Sequence, residues 1–496
     1  MNYDKIYVLN PDYIIKNDID RVLLYSKNKV SNYSSVNKLC FLHPIQAEIF
    51  SFFTYKRTLD ENILLLSDYL ELSFDEVYKM ISPFLENDQE LTLSYQKKRI
   101  RIPRNVLISK DKCIDKDLFR EIPNEQMRCK NINLSARRIS TFPILITLMI
   151  SNKCVTKCKY CYADTQTTVK ENLSTERMLS IIEEASMIGV KNINLAGGEI
   201  FLRKDWHIIL RKLIEKNYSP DIISTKYPIN ESIISKLKYT NYTDRIQISL
   251  DSINENVLIN ILGVKEGYLD KIKAGIILLE KNNIPFQITT VLTKYNTDIL
   301  LMEELFDFVS SFEMLKTWEI RPIMASLYKG NFENIRAKKE DIELVFDAIG
   351  KKRDVSHFNI RMIRDTIDKH YYEESKGSSF FKGAKCSALN THMFVLPDGQ
   401  VTICEQLYWN PHFIIGNLSS QNIKEVWTSE RAHFFAYIDR SKIQENSNCK
   451  NCKILSYCFS NNRCWVDVIK SYGKQCWDYP DPRCSYAPLM INDLKY

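Results

Sequence analysis

The pattern of apolar and polar positions predicts an α/β architecture for the middle of the chain. Over residues 141–335, short runs rich in β-branched residues alternate with segments whose apolar positions recur every three to four residues. The first pattern is typical of strands and the second of amphipathic helices. Strands that alternate with helices form a parallel sheet, so we expect a partial (β/α)6 barrel similar to a TIM barrel. The predicted strands are PILITLMIS, NINLAG, DIISTKY, RIQISLDS, PFQITTVLT and TWEIRPIM.

Residues 1–95 predict a small unit of a different kind. YVLNPDYIIKNDIDRVLLY has the alternation of two short strands. Thr58-x-x-Glu61 and Ser73-x-x-Glu76 are capping boxes that each begin an apolar-periodic, helical segment. LTLSYQ is typical of a closing strand. Strands, helices and a further strand in this order predict a winged-helix domain.

The segments between these regions carry weaker signals. Residues 96–140 are polar and basic, which predicts a linker. Residues 336–383 are expected to form a bridging helical region between the barrel and a C-terminal domain over 384–496.

Composition and charge limit the classes of protein and of partner. Of the 496 residues, 45% are hydrophobic and 26% charged, which excludes disorder as the main state. The net charge of +7 is small, and the predicted N-terminal helices show no concentrated Lys/Arg face, so we expect no nucleic-acid partner. The N-terminus lacks the pattern of a signal peptide, and the longest apolar run is far shorter than the ~20 residues that span a bilayer. We therefore expect a cytoplasmic protein without a membrane partner.

The 14 cysteines are clustered rather than scattered. Three lie between residues 154 and 161 and eight between 386 and 484, whereas Cys40, Cys113 and Cys129 have no partner spacing and are expected to be small core residues. In a chain without an export signal, clustered cysteines indicate metal ligands rather than disulfides. The two clusters are therefore the candidate metal sites.

The first cluster, Cys154-x3-Cys158-x-Tyr160-Cys161, follows the first predicted barrel strand. Three thiolates so close can hold three irons of a [4Fe–4S] cluster, which leaves the fourth iron open to a small molecule. A zinc site would need a fourth ligand nearby, and the local loop holds none. The next predicted strand ends in Gly197-Gly198-Glu199, whose glycines allow the backbone to approach a ligand closely.

This cysteine triplet, with Gly-Gly-Glu after the following strand, resembles the signature of radical S-adenosylmethionine (SAM) enzymes. The resemblance implies that the open iron binds SAM and that an electron from the cluster cleaves it to methionine and a 5′-deoxyadenosyl radical. Thr225-Lys226 departs from the Thr-Asn that is commoner in the family, and Ser249 and Asp251 have helix capping as an equal alternative. The residues that the resemblance places at SAM are Tyr160, Gly197, Gly198, Glu199, Ser224, Ser249 and Asp251.

The eight late cysteines, with MFVLPDGQVTICEQ and FIIGNLSSQNIKEVW, resemble the SPASM extension of radical SAM enzymes. The resemblance implies two auxiliary [4Fe–4S] clusters, and hence three such clusters in the protein. If one late cysteine closes the second cluster and the other is idle, the first auxiliary cluster keeps an open iron. A pair of zinc ribbons is the alternative, because their Cys-x2-Cys spacing is alike. The implied ligands are Cys386, Cys404 and Cys464 for the first auxiliary cluster, and Cys449, Cys452, Cys458 and either Cys476 or Cys484 for the second.

The spacing of five residues between Cys458 and Cys464 departs from the three that are usual in the family. The N-terminal unit in turn resembles the PqqD-like domain of peptide-modifying systems, in which a leader peptide adds as a strand to the sheet edge. A DNA-binding or purely structural winged helix is the alternative for this unit.

Together these resemblances imply an oxidoreductase that matures a ribosomally synthesised precursor peptide. Its partners would be that peptide, with its leader, and a reducing electron donor such as flavodoxin or ferredoxin. A crosslink is the expected product, a thioether before a carbon–carbon bond, because a vacant auxiliary iron suits a cysteine substrate.

Three other functions remain open from the sequence. Peptide epimerisation is one, and formylglycine formation, as in anaerobic sulfatase maturation, is another. The sulfatase-maturing relatives carry a general-base Asp directly after an auxiliary-cluster cysteine, where this chain has Glu405 after Cys404. Glu405 is thus the candidate catalytic residue, with a structural surface role as the alternative. The third function, from another class, is a non-catalytic peptide-binding or electron-transfer protein.

Overall fold

A computed structural model describes residues 3–26, 39–96, 98–112, 127–330, 332–363, 386–460 and 463–491. The chain divides into two compact units, Met1–Thr141 and Phe142–Tyr496. Within the described residues, no helix is both long and apolar enough to cross a membrane. Cys113 lies outside the described residues.

The N-terminal unit consists of short antiparallel sheets and three helices. β2, β3 and β4 form one sheet in that order, β5 pairs with β6 as a hairpin, and β1 pairs with β7. Both predicted capping boxes are present, since Thr58 and Ser73 cap α2 and α3. The elements are β1 (Tyr7–Leu9), β2 (Tyr13–Asn17), β3 (Val22–Ser26), β4 (Cys40–Leu42), α1 (Pro44–Ser51), α2 (Leu59–Leu70), α3 (Phe74–Ile81), β5 (Leu91–Tyr95), β6 (Lys98–Ile102) and β7 (Leu107–Ser109).

The predicted linker over 96–140 differs in the structure, because part of it is built into this unit. β6 and β7 lie in it, and β7 closes a ladder with β1, the first strand of the chain. Its far end is fixed by the Asp18 carboxylate, which accepts hydrogen bonds from the backbone N–H groups of Ser140 (2.8 Å) and Thr141 (3.0 Å). Asp18 is fully buried beside Arg21. A polar composition did not reveal these contacts because they join residues more than a hundred positions apart.

The C-terminal unit contains all six predicted barrel strands, β8–β13. Its strands are β8 (Leu145–Met149), β9 (Asn192–Ala196), β10 (Ile222–Thr225), β11 (Arg245–Ser249), β12 (Phe286–Leu292), β13 (Leu315–Pro322), β14 (Asn359–Met362), β15 (His392–Val395), β16 (Gln400–Thr402) and β17 (Ile414–Asn417). Its helices are α4 (Thr175–Ile188), α5 (Trp206–Glu215), α6 (Glu231–Thr240), α7 (Glu255–Leu262), α8 (Tyr268–Lys281), α9 (Ile299–Ser310), α10 (Phe332–Ile335), α11 (Lys339–Gly350), α12 (Ile423–Trp427), α13 (Glu430–Ala436), α14 (Leu455–Ser460) and α15 (Trp465–Tyr472).

The barrel strands are shared between two sheets of five. β10 to β14 form a parallel sheet in sequence order, and β8 and β9 join β15, β16 and β17 in the other. The predicted bridging helical region therefore contains a strand as well as α11, since β14 lies parallel to β13. In this short strand Ile360 is the buried apolar residue. A single such residue is a weak sequence signal for a strand. The predicted α/β fold with a partial barrel is confirmed.

The two faces of the parallel sheet differ in polarity. On one face Trp318 of β13 packs against Phe306 of α9, with ring centroids 6.3 Å apart. The other face carries polar side chains in register, of which one row is Ser249, Thr289, Glu319 and Arg361. A polar row on the inner face of a barrel is suited to a polar ligand, whereas a packed core is lined by apolar side chains.

His392 joins the SPASM-like sheet segment to the first barrel strand. It pairs in register with β8 through β15, and its Nε2 shares a 2.8 Å hydrogen bond with the hydroxyl of Thr147. Burial lowers the pKa of His392 from 6.5 to about 4, so the ring is neutral at pH 7.

This depressed pKa predicts a specific loss of stability in acid. An unfolded His392 binds a proton below pH 6.5 and the folded one only near pH 4, so its contribution is complete above pH 6.5 and is lost as the pH falls to about 4. The loss is about 3 kcal/mol in the free energy of unfolding, since one pKa unit corresponds to about 1.4 kcal/mol. The denaturant midpoint of a His392→Gln variant should therefore depend less steeply on pH over this range. Equal slopes for both proteins would contradict the prediction.

Candidate active site

The first cysteine cluster lies in the loop after β8 and is held by the end of α7. The backbone N–H of Lys157 donates to the carbonyl of Leu262 (2.7 Å) and that of Lys159 donates to Ile261 (2.9 Å). These carbonyls belong to the last turn of α7, which has no partners for them within the helix. The loop therefore donates two backbone hydrogen bonds to the end of α7, and these bonds fix the position of its cysteines.

The three thiols of this loop form one group. The hydroxyl of Thr156 lies 3.4 Å from the sulfur of Cys154 and 3.1 Å from that of Cys158. Cys161 interacts through its charge with both of these cysteines. Burial raises the pKa of the Cys158 and Cys161 thiols, so binding of iron would release protons from them.

Gly197 and Gly198 provide the space that this loop occupies. A Cβ atom on Gly197 would lie 2.7 Å from the Ser151 carbonyl oxygen, and one on Gly198 only 2.4 Å from that of Lys153. The N–H of Gly198 donates to Ser151 (2.8 Å) and that of Glu199 to Lys153 (2.7 Å). The close approach that glycine permits here is therefore, in the first place, between the end of β9 and the cysteine loop.

The carboxylate of Glu199 is used by the protein itself. It is 1% exposed and accepts hydrogen bonds from the Thr225 hydroxyl (2.8 Å) and from the N–H groups of Lys226 (3.0 Å), Tyr227 (3.1 Å) and Phe201 (3.2 Å). Burial raises its pKa, against these hydrogen bonds. Glu199 thus anchors the end of β10 beside the end of β9.

Tyr160 and Asp251, both predicted to lie at SAM, contact each other. The Tyr160 hydroxyl donates to Asp251 Oδ2, and Asp251 Oδ1 accepts from the N–H of Val291 at 2.9 Å. Asp251 is fully buried, and Asn296 donates to its carbonyl at 2.8 Å. The aromatic residue of the cysteine motif therefore fixes the loop to the ends of β11 and β12.

Loss of the Tyr160 hydroxyl should weaken this attachment. In Tyr160→Phe, one oxygen of the buried Asp251 loses its donor, which costs about 1–3 kcal/mol of stability. We expect a lower denaturation midpoint and weaker SAM binding by equilibrium dialysis. Tyr239→Phe, at a side chain that is 51% exposed, is the matched control and should change neither. A Tyr160→Phe variant with the midpoint of the parent would show that the contact contributes nothing.

The two predicted serines lie on the polar face of the parallel sheet. Ser224 is exposed and accepts a hydrogen bond from Gln247 Nε2 at 3.0 Å. Ser249 follows two positions after Gln247 on β11, in register with Thr289. Both hydroxyls thus line the inside of the half barrel, near the ends of their strands, where a ligand can reach them.

Lys226 is a site residue that sequence reasoning did not assign. Its Nζ lies 5.4 Å from the centroid of the Tyr160 ring, and its charge lowers the pKa values of the Cys158 and Cys161 thiols against the effect of burial. The departure from Thr-Asn at positions 225 and 226 was the available signal. A fixed cation beside these thiols favours their deprotonated, metal-binding form.

A second group of cysteines surrounds a cavity near the C-terminus. It is lined by Cys449, Cys452, Cys458 and Cys484, together with Arg463. Burial raises the pKa of Cys449 to about 11 and that of Cys458 to about 12, and the Arg463 charge opposes both shifts. Arg463 is 2% exposed and its guanidinium lies 4.6 Å from the Trp465 ring. A buried cation beside four thiols matches an anionic iron–sulfur cluster.

The structure separates the two late cysteines that the sequence left as alternatives. Cys484 lines the cavity, whereas Cys476 ends a 3₁₀ turn, Lys474–Cys476, and interacts with the Tyr479 hydroxyl. Cys476 is not among the residues that line the cavity. The geometry therefore favours Cys484 as the fourth thiol of this group.

A matched pair of substitutions tests this assignment. Cys484→Ala should lose between about one and four irons per chain after anaerobic reconstitution, because one iron of the cluster then has no thiolate and can be lost alone or with the whole cluster. Cys476→Ala should keep the iron content and the visible absorption of the parent. The opposite pattern, with iron lost from Cys476→Ala alone, would assign the ligand to Cys476.

A third group contains Cys386, Cys404 and Cys464. The charge of Cys404 interacts with those of Cys386 and Cys464, and burial raises its pKa to about 12. The sulfurs of Cys386 and Cys404 accept backbone N–H groups from Ala388 and Gln406, each two residues further along. Such N–H···S contacts stabilise thiolates, so these three cysteines also fit an iron–sulfur cluster.

No group of three His, Cys, Asp or Glu side chains in the described ranges is arranged to hold a single metal ion. A [4Fe–4S] cluster places its thiolates on separate irons, so its ligands stand further apart than those of one ion. The three cysteine groups therefore fit clusters by the number and type of their donors.

Glu405 is half-buried, and the charge of its carboxylate acts on the loop of the first cysteine group. The Glu405 charge is the largest of the causes that raise the pKa of the Tyr162 hydroxyl, and the charge of Cys404 acts in the same direction. Tyr162 directly follows Cys161. Burial raises the pKa of Glu405. The pairs Cys161-Tyr162 and Cys404-Glu405 are thus neighbours, although more than two hundred residues separate them in the sequence.

Comparison with known proteins agrees with this geometry. Residues 148–308 match the Radical SAM superfamily, and residues 386–453 match the SPASM family, described as an iron-sulfur cluster-binding domain. A probable GTP 3′,8-cyclase of Methanosarcina mazei is 27% identical over 62% of this chain and 89% of its own. A PqqA peptide cyclase of Rhizobium meliloti is 22% identical over 70% of this chain and 88% of its own.

The fold has a counterpart among solved structures. Streptococcus suis SuiB bound to S-adenosylmethionine superposes with a TM-score of 0.62 at 16% identity, over 96% of this chain and 99% of that one. SuiB bound to its precursor peptide SuiA gives a TM-score of 0.61 at 17% identity, over 97% and 100% of the two chains. At this identity the likeness concerns the fold.

Proposed function

Since this chain is a radical SAM enzyme with a SPASM iron–sulfur domain, we propose that it crosslinks a ribosomally synthesised precursor peptide. The observation that carries the proposal is the proximity of Cys161-Tyr162 to Cys404-Glu405. Because of this proximity, the cysteine loop of the first site and the first auxiliary group lie close together. A substrate between them can lose a hydrogen atom on one side and an electron on the other.

Three [4Fe–4S] clusters are part of this proposal. Cys154, Cys158 and Cys161 would hold the cluster that binds SAM, and this cluster would supply the electron for reductive cleavage of SAM. The first auxiliary cluster takes Cys386, Cys404 and Cys464, and the second takes Cys449, Cys452, Cys458 and Cys484. Cys476 is left out of both. An external donor such as flavodoxin or ferredoxin supplies the electron for SAM cleavage.

The residues around the first site position SAM rather than react with it. Gly197 and Gly198 keep the end of β9 against the cysteine loop, and Tyr160 fixes the loop to Asp251. Ser224 and Ser249 offer hydroxyls on the inner face of the half barrel to the sugar or carboxylate of SAM. Lys226 places a positive charge beside the same thiols, where the SAM carboxylate would bind.

Glu405 is proposed as the proton acceptor of the crosslinking step. Thioether formation joins a cysteine sulfur to a carbon and removes two hydrogens. One leaves the carbon as an atom to the 5′-deoxyadenosyl radical, the thiol proton goes to Glu405, and the remaining electron goes to an auxiliary cluster. Burial raises the pKa of Glu405 above its usual value, which suits a group that takes up and returns a proton.

The N-terminal unit is proposed to bind the leader of the peptide. In the sheet of β2, β3 and β4, β2 is an edge strand: it pairs with β3 and has no second strand partner within the described residues. Leu64, Leu65 and Tyr69 on α2 are 40–55% exposed, an apolar surface in the same unit. An extended leader that adds to a sheet edge gains main-chain hydrogen bonds and apolar contacts together. The likeness to SuiB, which is solved with a precursor peptide, covers this unit too.

Co-expression with a cysteine-containing short peptide encoded beside the gene tests the proposal. We expect a loss of two hydrogens per crosslink by mass spectrometry, and a cysteine that no longer reacts with iodoacetamide. A peptide without its leader should be modified about a hundredfold more slowly, since tethering raises the effective concentration of the core. Cys154→Ala is the inactive control. An unmodified peptide in the presence of SAM cleavage would reject this substrate class.

Formylglycine formation remains the second candidate, and the half-buried Glu405 directly after Cys404 is the observation that favours it. Its product is an aldehyde, which reacts with hydrazide probes, whereas a thioether does not. Epimerisation leaves the mass unchanged in ordinary water and incorporates deuterium in D₂O. The three products are therefore distinguished in one set of reactions.

A further inference from the structure

Two arginines and one carboxylate form an ion-pair group on the inner face of the parallel sheet. Glu319 of β13 lies beside Arg361 of β14 in the register of the two strands, and Arg321 follows Glu319 by two positions, on the same face. Arg321 Nη2 lies 2.7 Å from Glu319 Oε1, and Arg361 Nη1 lies 3.2 Å from Glu319 Oε2. One carboxylate thus holds two guanidinium groups, one at each of its oxygens.

This group carries an excess of positive charge. Two guanidinium groups share a single carboxylate, and neither has another ion pair within the described residues. The Glu319 side chain is 8% exposed, whereas those of Arg321 and Arg361 are 39% and 41% exposed. Of the five N–H donors of a guanidinium, Arg321 Nε donates to no atom in the described part of the chain. The group therefore offers positive charge and free N–H donors on the inner face of the sheet.

Stability alone does not explain such a group. Inward-facing positions of a packed barrel are apolar, and ion pairs with half-exposed partners contribute little to stability. The arrangement instead holds two planar cations side by side on adjacent strands, with the covered Glu319 as their common support. Guanidinium groups fixed in this way are suited to binding a carboxylate through paired N–H···O hydrogen bonds.

The register of the strands places Arg321 close to the cysteine loop. Arg321 pairs with Val291 of β12, whose N–H donates to Asp251 Oδ1 at 2.9 Å. The other oxygen of Asp251 accepts the hydroxyl of Tyr160, the aromatic residue of the cysteine motif. Arg321 is therefore one strand away from the residues that attach the cysteine loop to the barrel.

The segment after β13 contacts both of the loops that carry the proposed reaction. The Ser326 hydroxyl donates to the carbonyl of Tyr162 in the cysteine loop, at 3.3 Å. The Tyr328 hydroxyl donates to the carbonyl of Gln406, two residues after Cys404, at 3.2 Å. The strand that carries Glu319 and Arg321 thus leads directly to the place where these two loops meet.

We propose that Arg321 and Arg361 bind a carboxylate of the substrate peptide, the side chain of an Asp or Glu close to the residue that is modified. This role depends on the proposed function, and it narrows the substrate class to peptides with an acidic residue in the modified part, the core. SAM carries a carboxylate too, but Lys226 already provides a cation beside the cysteine loop. β14, by contrast, is the edge strand of its sheet within the described residues, where an entering peptide can reach Arg361.

Direct binding of peptides to the full, anaerobically reconstituted chain tests this role. The probes are three fluorescent synthetic peptides, followed by anisotropy in the presence of SAM. Two are the leader and the core of the short peptide encoded beside the gene. The third is the same core with every Asp and Glu replaced by Asn and Gln. SAM affinity is measured separately by equilibrium dialysis.

We expect Arg321→Gln and Arg361→Gln to bind the core at least about tenfold more weakly than the parent, because hydrogen bonds between charged groups are lost. Arg321→Lys keeps the charge without the planar fork and should lie between them. The amide core should bind the parent as weakly as the natural core binds the Gln variants. The affinities for the leader and for SAM should not change.

Arg211→Gln is the matched control. Arg211 on α5 is 41% exposed, as Arg361 is, and its Nε lies 2.9 Å from Glu215 Oε1. Loss of this ion pair should leave the affinities for all three peptides at the parent values. A general effect of removing one positive charge from the protein would instead weaken binding of the core to Arg211→Gln as well, and would overturn the proposed site.

The remaining outcomes separate this role from the proposed function. If the parent crosslinks the peptide while both Gln variants bind the core with parental affinity, or if the modified core holds no acidic residue, the carboxylate site is wrong and the proposed function stands. Weaker binding of SAM with unchanged binding of the core would assign the arginines to the SAM carboxylate and overturn the role. If the parent binds neither leader nor core, the proposed function fails, and the role fails with it. Should a Gln variant not fold, the comparison of the two cores on the parent decides.

Discussion

Replacing Cys158 with alanine is expected to abolish formation of 5′-deoxyadenosine. Cys158 is 6% exposed, lies 3.1 Å from the Thr156 hydroxyl and is the central member of the first cysteine group. Without it one iron of the SAM-binding cluster has no protein ligand, so the cluster is lost or loses its fixed orientation. The rate should fall by far more than the ~100-fold that the loss of a residue supporting a metal ligand can cost.

Iron content and product formation are measured together on anaerobically purified protein. Cys158→Ala should retain the iron of both auxiliary clusters, about eight per chain, and release no 5′-deoxyadenosine above background. Cys129→Ala, at a half-buried thiol of the N-terminal unit, is the matched control and should keep full turnover. Undiminished turnover by Cys158→Ala, or zinc in place of iron at this group, would refute the assignment of a radical SAM site.

The second large effect is expected from Gly198→Ala. The new Cβ would lie 2.4 Å from the carbonyl oxygen of Lys153 and 2.8 Å from that of Asn152, both backbone atoms. Because backbone cannot turn aside as a flexible side chain does, the loop that carries Cys154 has to move away from β9. Such overpacking costs about 1–3 kcal/mol, and a shift of about 1 Å at a reaction centre can lower the rate about a hundredfold.

Gly330→Ala is the control for this substitution, because a Cβ there meets no heavy atom within 4 Å. We expect Gly198→Ala to cleave SAM about a hundredfold more slowly and to denature at a lower midpoint, with Gly330→Ala unchanged in both. The iron of the auxiliary clusters should be equal in the two variants. Full activity in Gly198→Ala would mean that the contact between β9 and the cysteine loop does not position the site.

Several features were predictable because their signals are local. Thr58 and Ser73 cap helices as the capping boxes indicated, and α4 begins after Ser174 and ends before Gly189, whose φ of 84° suits glycine. The alternation of strands and helices gave β8–β13, and the cysteine triplet with Gly-Gly-Glu gave the radical SAM domain. Each of these signals depends on residues only a few positions apart, so it can be read from the sequence without knowing the tertiary structure.

Other features required the tertiary structure. The carboxylates of Glu199 and Asp251 were predicted to lie at SAM, yet both bind groups of the protein, because the ends of neighbouring strands bring donors to them. β7 and β14 were missed, since each is short and is stabilised by a strand distant in the sequence. The influence of the Glu405 charge on Tyr162 likewise depends on where two loops meet.

The sequence by itself determined the class of chemistry, since the local spacing of its cysteines is that of iron–sulfur ligands and resembles the radical SAM signature. It left open whether Cys476 or Cys484 joins Cys449, Cys452 and Cys458. Cys476 and Cys484 are close in the chain, and the entropy of closing a long loop changes little with a few residues, so either could reach Cys449. The packing of the C-terminal segment distinguishes the two cysteines, because it places Cys484 at the cavity and Cys476 on a separate turn.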